Sequence, residues 1–210
     1  MNKISIIIPI LNEANSIFLL LQHLIDNSSR DNISEIIVVD GGSKDGSIKL
    51  VSEFSLLNNK VVLISSERGR AKQMNLGQQK ASGNILYFLH ADSFPPSDFD
   101  LLIINEVKEG NLAGCFKMKF NHQHWWLRLA SWLTTLQWRA CRGGDQSQFI
   151  TKDLFNEIGG YNEKFIIYED NILINELYKK DQFKVIQKWI VTSARLYEQK
   201  GIWNLQYHFW

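Results

Sequence analysis

Apolar and polar positions follow one regular rhythm through the first half of the chain and a looser one through the second. Residues 4–10, ISIIIPI, are a short β-branched run that predicts a strand. Residues 13–26 place Ile17, Leu20, Leu21, Leu24 and Ile25 at helical spacing. A second strand is predicted over 35–39, followed by the loop DGGSKDG and a helix over 46–54. A third strand covers 61–65 and a helix covers 70–81, where Gly83 suits the left-handed position beyond a helix end. A fourth strand spans 85–89. Strands alternating with helices imply a parallel sheet with helices on both faces.

Beyond residue 97 the pattern changes. A helix is predicted over 97–108. Phe116, Met118 and Phe120 alternate with Lys117 and Lys119, as in a strand with one wet face. The tryptophan-rich stretch HQHWWLRLASWLTTLQWRACRGGDQ follows, then a strand over 147–151, a helix over 169–180, and one or two strands over 183–197. No repeat, low-complexity tract or Gly/Ser linker divides the chain. The expectation is one domain over 1–210, with an α/β half (1–97) continuous with a smaller mixed half (98–210).

Chemistry gathers at the predicted strand ends, where open α/β sheets bind ligands. The first strand leads to Pro9, Asn12 and Glu13, the second to Asp40, the third to Glu67, Arg68 and Arg70, and the fourth to His90 and Asp92. A single loop aspartate most often caps a helix. A set of carboxylates and arginines on one edge instead suits a nucleotide. Carboxylates can accept hydrogen bonds from base or ribose, or hold a hard divalent cation that bridges phosphates. Arginine pairs with phosphate or stacks on a base. DGGSKDG is neither a dinucleotide fingerprint nor a P-loop, which argues against both of those enzyme classes.

Composition narrows the class without naming it. A net charge of +1 supplies no global field for nucleic acid. Cys115 and Cys141 are in no paired motif and read as reduced thiols of a cytoplasmic protein. Pro9 and Glu13 interrupt the apolar N-terminus, and no run approaches the roughly 18 apolar residues of a membrane span. The expectation is a soluble or peripheral protein.

The ordered pieces SIIIPILNE, IIVVDGGSKDGS, AKQMNLGQQKASGNILYFLHADS, GDQSQFI and GGYNEKFIIYEDNIL resemble a family 2 glycosyltransferase with the GT-A fold. The likeness is greatest to a small bacterial branch that has HAD where most members have DxD. The resemblance implies a central, mostly parallel sheet flanked by helices, continuous with a mixed acceptor-side region. It implies an inverting transferase that moves a sugar from a nucleotide-diphosphate sugar to an acceptor hydroxyl with a divalent cation, Mn²⁺ or Mg²⁺. Pro9 and Glu13 would border base and ribose, Asp40 would bond the base, and Arg70 would contact base or phosphate. Asp92 would hold the metal. His90 stands where the usual motif has aspartate, as an Mn²⁺ ligand, a phosphate donor or a packing residue. Asp170, beside Glu169, matches the general base, and Asp145 and Gln146 would face the acceptor. A UDP-sugar is favoured, because Asp40 and Glu13 suit a pyrimidine.

The tryptophans allow two readings. Trp125, Trp126 and Trp132, with Leu129, Leu133, Leu136 and Trp138, could fill a core face and an acceptor-pocket wall. They could equally dock an interfacial helix on the inner face of a membrane and admit a lipid-linked acceptor. Two alternative functions stand beside the transferase: a catalytically weak nucleotide-binding module serving a membrane partner, and a sugar-phosphate nucleotidyltransferase. The second wants a glycine-rich loop after the first strand, where this chain has LNEANS.

Overall fold

A computed structural model describes residues 2–143, 146–164 and 169–203, with only the backbone of Glu169. The elements are β1 (Ile4–Ile10), α1 (Ile17–Asp26), β2 (Ile33–Asp40), α2 (Ser47–Leu57), β3 (Val61–Ser65), α3 (Arg70–Lys80), β4 (Ile85–Phe88), β5 (Ser93–Phe94), α4 (Phe99–Lys108), β6 (Ala113–Phe120), α5 (Trp125–Leu133), a 3-10 turn (Arg139–Cys141), β7 (Gln148–Thr151), α6 (Lys152–Ile158), α7 (Glu169–Lys179), β8 (Phe183–Thr192) and α8 (Arg195–Lys200).

Among the described residues the strands form one sheet in the order β3-β2-β1-β4-β7-β6-β8-β5. The first four pair in parallel, as do β6 and β8, while β7 runs antiparallel to β4 and β6. Period-two alternation assigns the two faces of β1. Ile4, Ile6 and Ile8 join the core under α1, α2 and α4, with Leu20, Val51 and Phe99. Ile7 joins the opposite core under α3, α6 and α7, with Met74, Phe155 and Leu173.

Four sequence expectations change. Helix α1 begins at Ile17 rather than 13, because residues 13–16 make a turn in which the Glu13 carbonyl accepts from the Ser16 and Ile17 amides. Gly83 does not take the left-handed position. The helix before it stops at an extended Ala81, and a Cβ on Gly83 would stand 2.7 Å from the Lys3 carbonyl oxygen, so glycine is needed for close approach. The strand predicted through 197 stops at Thr192, and Arg195–Lys200 is helical. The tryptophan stretch is not core: α5 buries Leu127 and Ser131 and ends at Leu133, while Trp125, Trp132 and Trp138 are exposed.

Candidate active site

The loops after β1 and β2 are built as one unit. Asn12 adopts a left-handed backbone (φ 58°), a conformation its short amide tolerates. Its amide donates to Ser43 Oγ at 2.8 Å, and its side-chain oxygen accepts from the Lys44 amide at 2.8 Å. The Glu13 amide donates to Ser47 Oγ at 2.8 Å and the Ala14 amide to Asp45 Oδ2 at 3.0 Å. Asp40, buried at the end of β2, accepts from the Gly42 amide at 2.8 Å and the Ser43 amide at 3.1 Å. Its carboxylate therefore shapes the DGGS turn whatever else it contacts. Gln73 of α3 supports the same edge from below, donating to the Ile10 and Val39 carbonyls. Pro9 lies half-buried in β1, opposite Val39, the residue before Asp40.

The other predicted residues fall into two groups. Arg70, His90, Gln146 and Asp170 line one cleft, walled by Phe88, Tyr161 and Ile174. Arg70 comes from the first turn of α3, His90 from the end of β4 and Asp170 from the first turn of α7. Gln146 is fixed from both ends: its oxygen accepts from Arg142 Nη1 at 3.1 Å, and its nitrogen donates to the Cys141 carbonyl at 2.9 Å. Arg142 is itself buried, donating to the Thr134 carbonyl at 2.8 Å. Cys115 also lines the cleft, and burial pushes its thiol up to about 11 against the pull of Arg142. Asp145 and the Glu169 side chain lie outside the described residues.

The second group is an ion cluster that no local sequence pattern announces. Arg195, at the start of α8, places Nη2 at 3.0 and 2.9 Å from the two Glu13 carboxylate oxygens. The same nitrogen stands 4.0 Å from Asp92 Oδ2. Glu13 Oε2 also accepts from Ser16 Oγ at 3.0 Å. Arg195 lies 182 positions from Glu13, so neither sequence neighbourhood points to the other.

Among the described residues no group of three or more His, Cys, Asp or Glu side chains could by itself hold a metal. The donors at the motif are Asp92 and, two positions before it, His90. Asp92 alone offers an oxygen ligand of the kind a hard cation takes, with substrate phosphates and water to complete the shell, and His90 would suit only a softer ion. Three tryptophans gather: exposed Trp125 packs edge-on against half-buried Trp126 at 5.7 Å, and exposed Trp203 lies 5.8 Å from Trp126.

The site residues lie along the carboxyl edge of a mostly parallel sheet, the place where open α/β sheets bind ligands, and the chain is an α/β protein of that class. Residues 5–171 match glycosyl transferase family 2, and the chain belongs to that family. Curated relatives include the glycosyltransferase AglE of Haloferax volcanii, 33% identical over 94 residues, which are 44% of this chain and 31% of that protein. Another is the undecaprenyl-phosphate 4-deoxy-4-formamido-L-arabinose transferase of Proteus mirabilis, 30% identical over 132 residues, 60% of this chain and 40% of that protein. The chain thus spans well under half the length of either. Among solved structures, S. aureus TarS 1-349 in complex with UDP aligns over 91% of this chain and 60% of its own, with TM-score 0.71 and 19% identity. The mannosyltransferase PcManGT of Pyrobaculum calidifontis, in complex with GDP-Man and Mn²⁺, aligns over 90% of this chain and 56% of its own, with TM-score 0.69 and 18% identity. The fold is the GT-A fold of these glycosyltransferases, as the sequence motifs imply.

Proposed function

We propose that this chain is an inverting glycosyltransferase that transfers a sugar from a nucleotide-diphosphate sugar to an acceptor hydroxyl, with Asp170 as general base. The observation that carries this reading is the shared cleft: Asp170, Gln146, His90 and Arg70 open into one space at the carboxyl end of β4. Base and ribose would lie along the edge made by Pro9, Glu13 and Asp40, with a uridine nucleotide favoured. The diphosphate would lie toward Asp92 and His90, with Arg70 alongside. Asp145 and Gln146 would face the acceptor.

The steps follow from where these groups sit. Asp170 accepts the proton of the acceptor hydroxyl as its oxygen attacks the anomeric carbon. The sugar–phosphate bond breaks on the opposite face, so a single displacement inverts the anomeric centre. No second flanking carboxylate is required, unlike in hydrolysis. When bound, Mn²⁺ or Mg²⁺ would neutralise charge on the departing diphosphate, with Asp92, and His90 for the softer Mn²⁺, as its protein ligands. Asp170→Asn should lower turnover by about 10²–10⁴-fold and leave nucleotide affinity unchanged. Steady-state rates paired with calorimetric titration check this, and full activity in the variant removes Asp170 as base. A wild-type protein that binds nucleotide but turns over no donor would favour a nucleotide-binding module.

The acceptor in this reading is lipid-linked, and the protein works peripherally on the cytoplasmic face of a membrane. Two observations support it. A curated relative is named for transfer to undecaprenyl phosphate. The cluster of Trp125, Trp126 and Trp203, with exposed Trp132 on the same helix as the first two, offers interfacial side chains. No helix among the described residues is long and apolar enough to cross a membrane. In a vesicle flotation assay with anionic lipids, wild type should float and the Trp125→Ser/Trp126→Ser variant should stay with the soluble fraction. Equal partitioning of the two removes the tryptophans from this role.

A further inference from the structure

The GT-A reading leaves a second positive charge beside the donor edge with no assigned task. Arg195 arrives from the far end of the chain, yet its position is secured at every step. The Ser193 amide donates to the Asp92 carbonyl at 3.1 Å. The two-residue strand β5, directly after Asp92, pairs antiparallel with Val191 and Thr192 of β8. The Ala194 amide donates to Asn121 Oδ1 at 2.8 Å, and the Arg195 amide to Ser193 Oγ at 3.1 Å. The corner between β8 and α8 is therefore sewn to the loop that carries Asp92. The Arg195 guanidinium is held within reach of both Asp92 and Glu13, the residues that follow β4 and β1.

The side chain is stored rather than spent. Among the described residues its ion-pair contacts all run through Nη2, and its other N–H donors make none. It remains 36% exposed, open to a ligand on that edge. Among the described residues one guanidinium faces two carboxylates here. A diphosphate carries charge opposite to the guanidinium's, and that planar group is the side chain best shaped to grip its oxygens.

Resting on the transferase reading above, we propose that Arg195 is a phosphate-binding residue of the donor site, parked on Glu13 and Asp92 until the nucleotide diphosphate arrives. Arg195 would leave Asp92 to a divalent cation held there and turn to the diphosphate oxygens, so in the ligand-free protein Arg195 and such a cation would compete for Asp92. After transfer Arg195 balances the charge of the released nucleotide diphosphate.

The test compares wild type, Arg195→Ala and Arg195→Lys, each checked for folding by circular dichroism. Calorimetry with Mn²⁺ measures affinity for UDP, GDP, CDP and dTDP. Saturation-transfer NMR measures the matching nucleoside. Electron paramagnetic resonance measures Mn²⁺ binding to the ligand-free protein. Arg195→Ala should bind the preferred diphosphate about tenfold more weakly, the share of one charged hydrogen bond. Its nucleoside binding should be unchanged, its Mn²⁺ binding without nucleotide should be tighter, and lysine should restore part of the diphosphate affinity. Equal diphosphate affinity in wild type and Arg195→Ala overturns this assignment alone. So does a parallel loss for nucleoside and diphosphate, which marks a purely structural ion pair. A wild-type protein that binds none of the four diphosphates overturns the donor-site reading itself, and this assignment with it.

Discussion

Cys115, Tyr87 and Tyr178 are acids held neutral by the interior. Burial is the main cause in each: it raises Tyr87, takes Cys115 to about 11 and takes Tyr178 to about 12. The sign of the consequence is fixed by linkage. Once unfolded, these groups release their protons at ordinary values, so between pH 9 and 11 the unfolded chain binds fewer protons than the folded one. Stability therefore falls as pH rises through that window, and is unaffected by these groups below it. Urea midpoints measured from pH 8 to 11 should decline, and Cys115→Ala should decline less steeply. A midpoint that stays level to pH 11 would contradict the burial argument. Individual residues also show what the sequence could reveal. The place of His90 and Asp92 just beyond β4 was legible because a buried strand and the residues that end it are neighbours in the chain. Arg195 was not, because every partner that gives it meaning is distant in sequence.

At the scale of elements, patterning found all four strands of the parallel half and misread mainly their borders. The short strand β5 escaped because two residues carry no periodicity. Helix α6 escaped because it follows β7 without a break, Thr151 serving as both the last strand residue and the N-cap. The first residues of α8 fell within the strands expected through 197, because Arg195–Lys200 has no apolar stripe long enough to announce a helix. Packing between elements is also more exacting than pattern. Helix α3 approaches β1 so closely that a Cβ on Gly77 would stand 2.5 Å from Ile7 Cγ2 and 3.2 Å from Val39 Cγ2. Gly77→Ala gains about 1 kcal/mol of helix propensity. Overpacking against two fixed strands costs roughly 1–3 kcal/mol. The variant should be net destabilised, and displaced helix packing should also weaken nucleotide binding, because Arg70 and Gln73 ride on the same helix. Thermal denaturation with and without nucleotide measures both effects, and a variant as stable as wild type would show that α3 has room to shift.

For the whole molecule, one sheet among the described residues runs through both predicted halves. The sheet passes from β4 directly into β7, a strand of the second half, and the last strand β8 returns to pair with β5 in the first. The fold class was legible because alternating elements and ordered motifs survive as local text. The assembly of the site was not, since β8 lies between β6 and β5 with no signal in the chain to say so.

The stitch between Asp92 and Ser193 also sets an order of events during synthesis. Residues 4–88 can begin pairing their strands while the rest of the chain is still being made. The Glu13–Arg195 contact closes a separation of 182 positions, and Ser93–Thr192 closes one of 99, so both belong to the slow, non-local part of folding. A nascent chain has the joined loops after β1 and β2 long before it has the guanidinium that reaches Glu13.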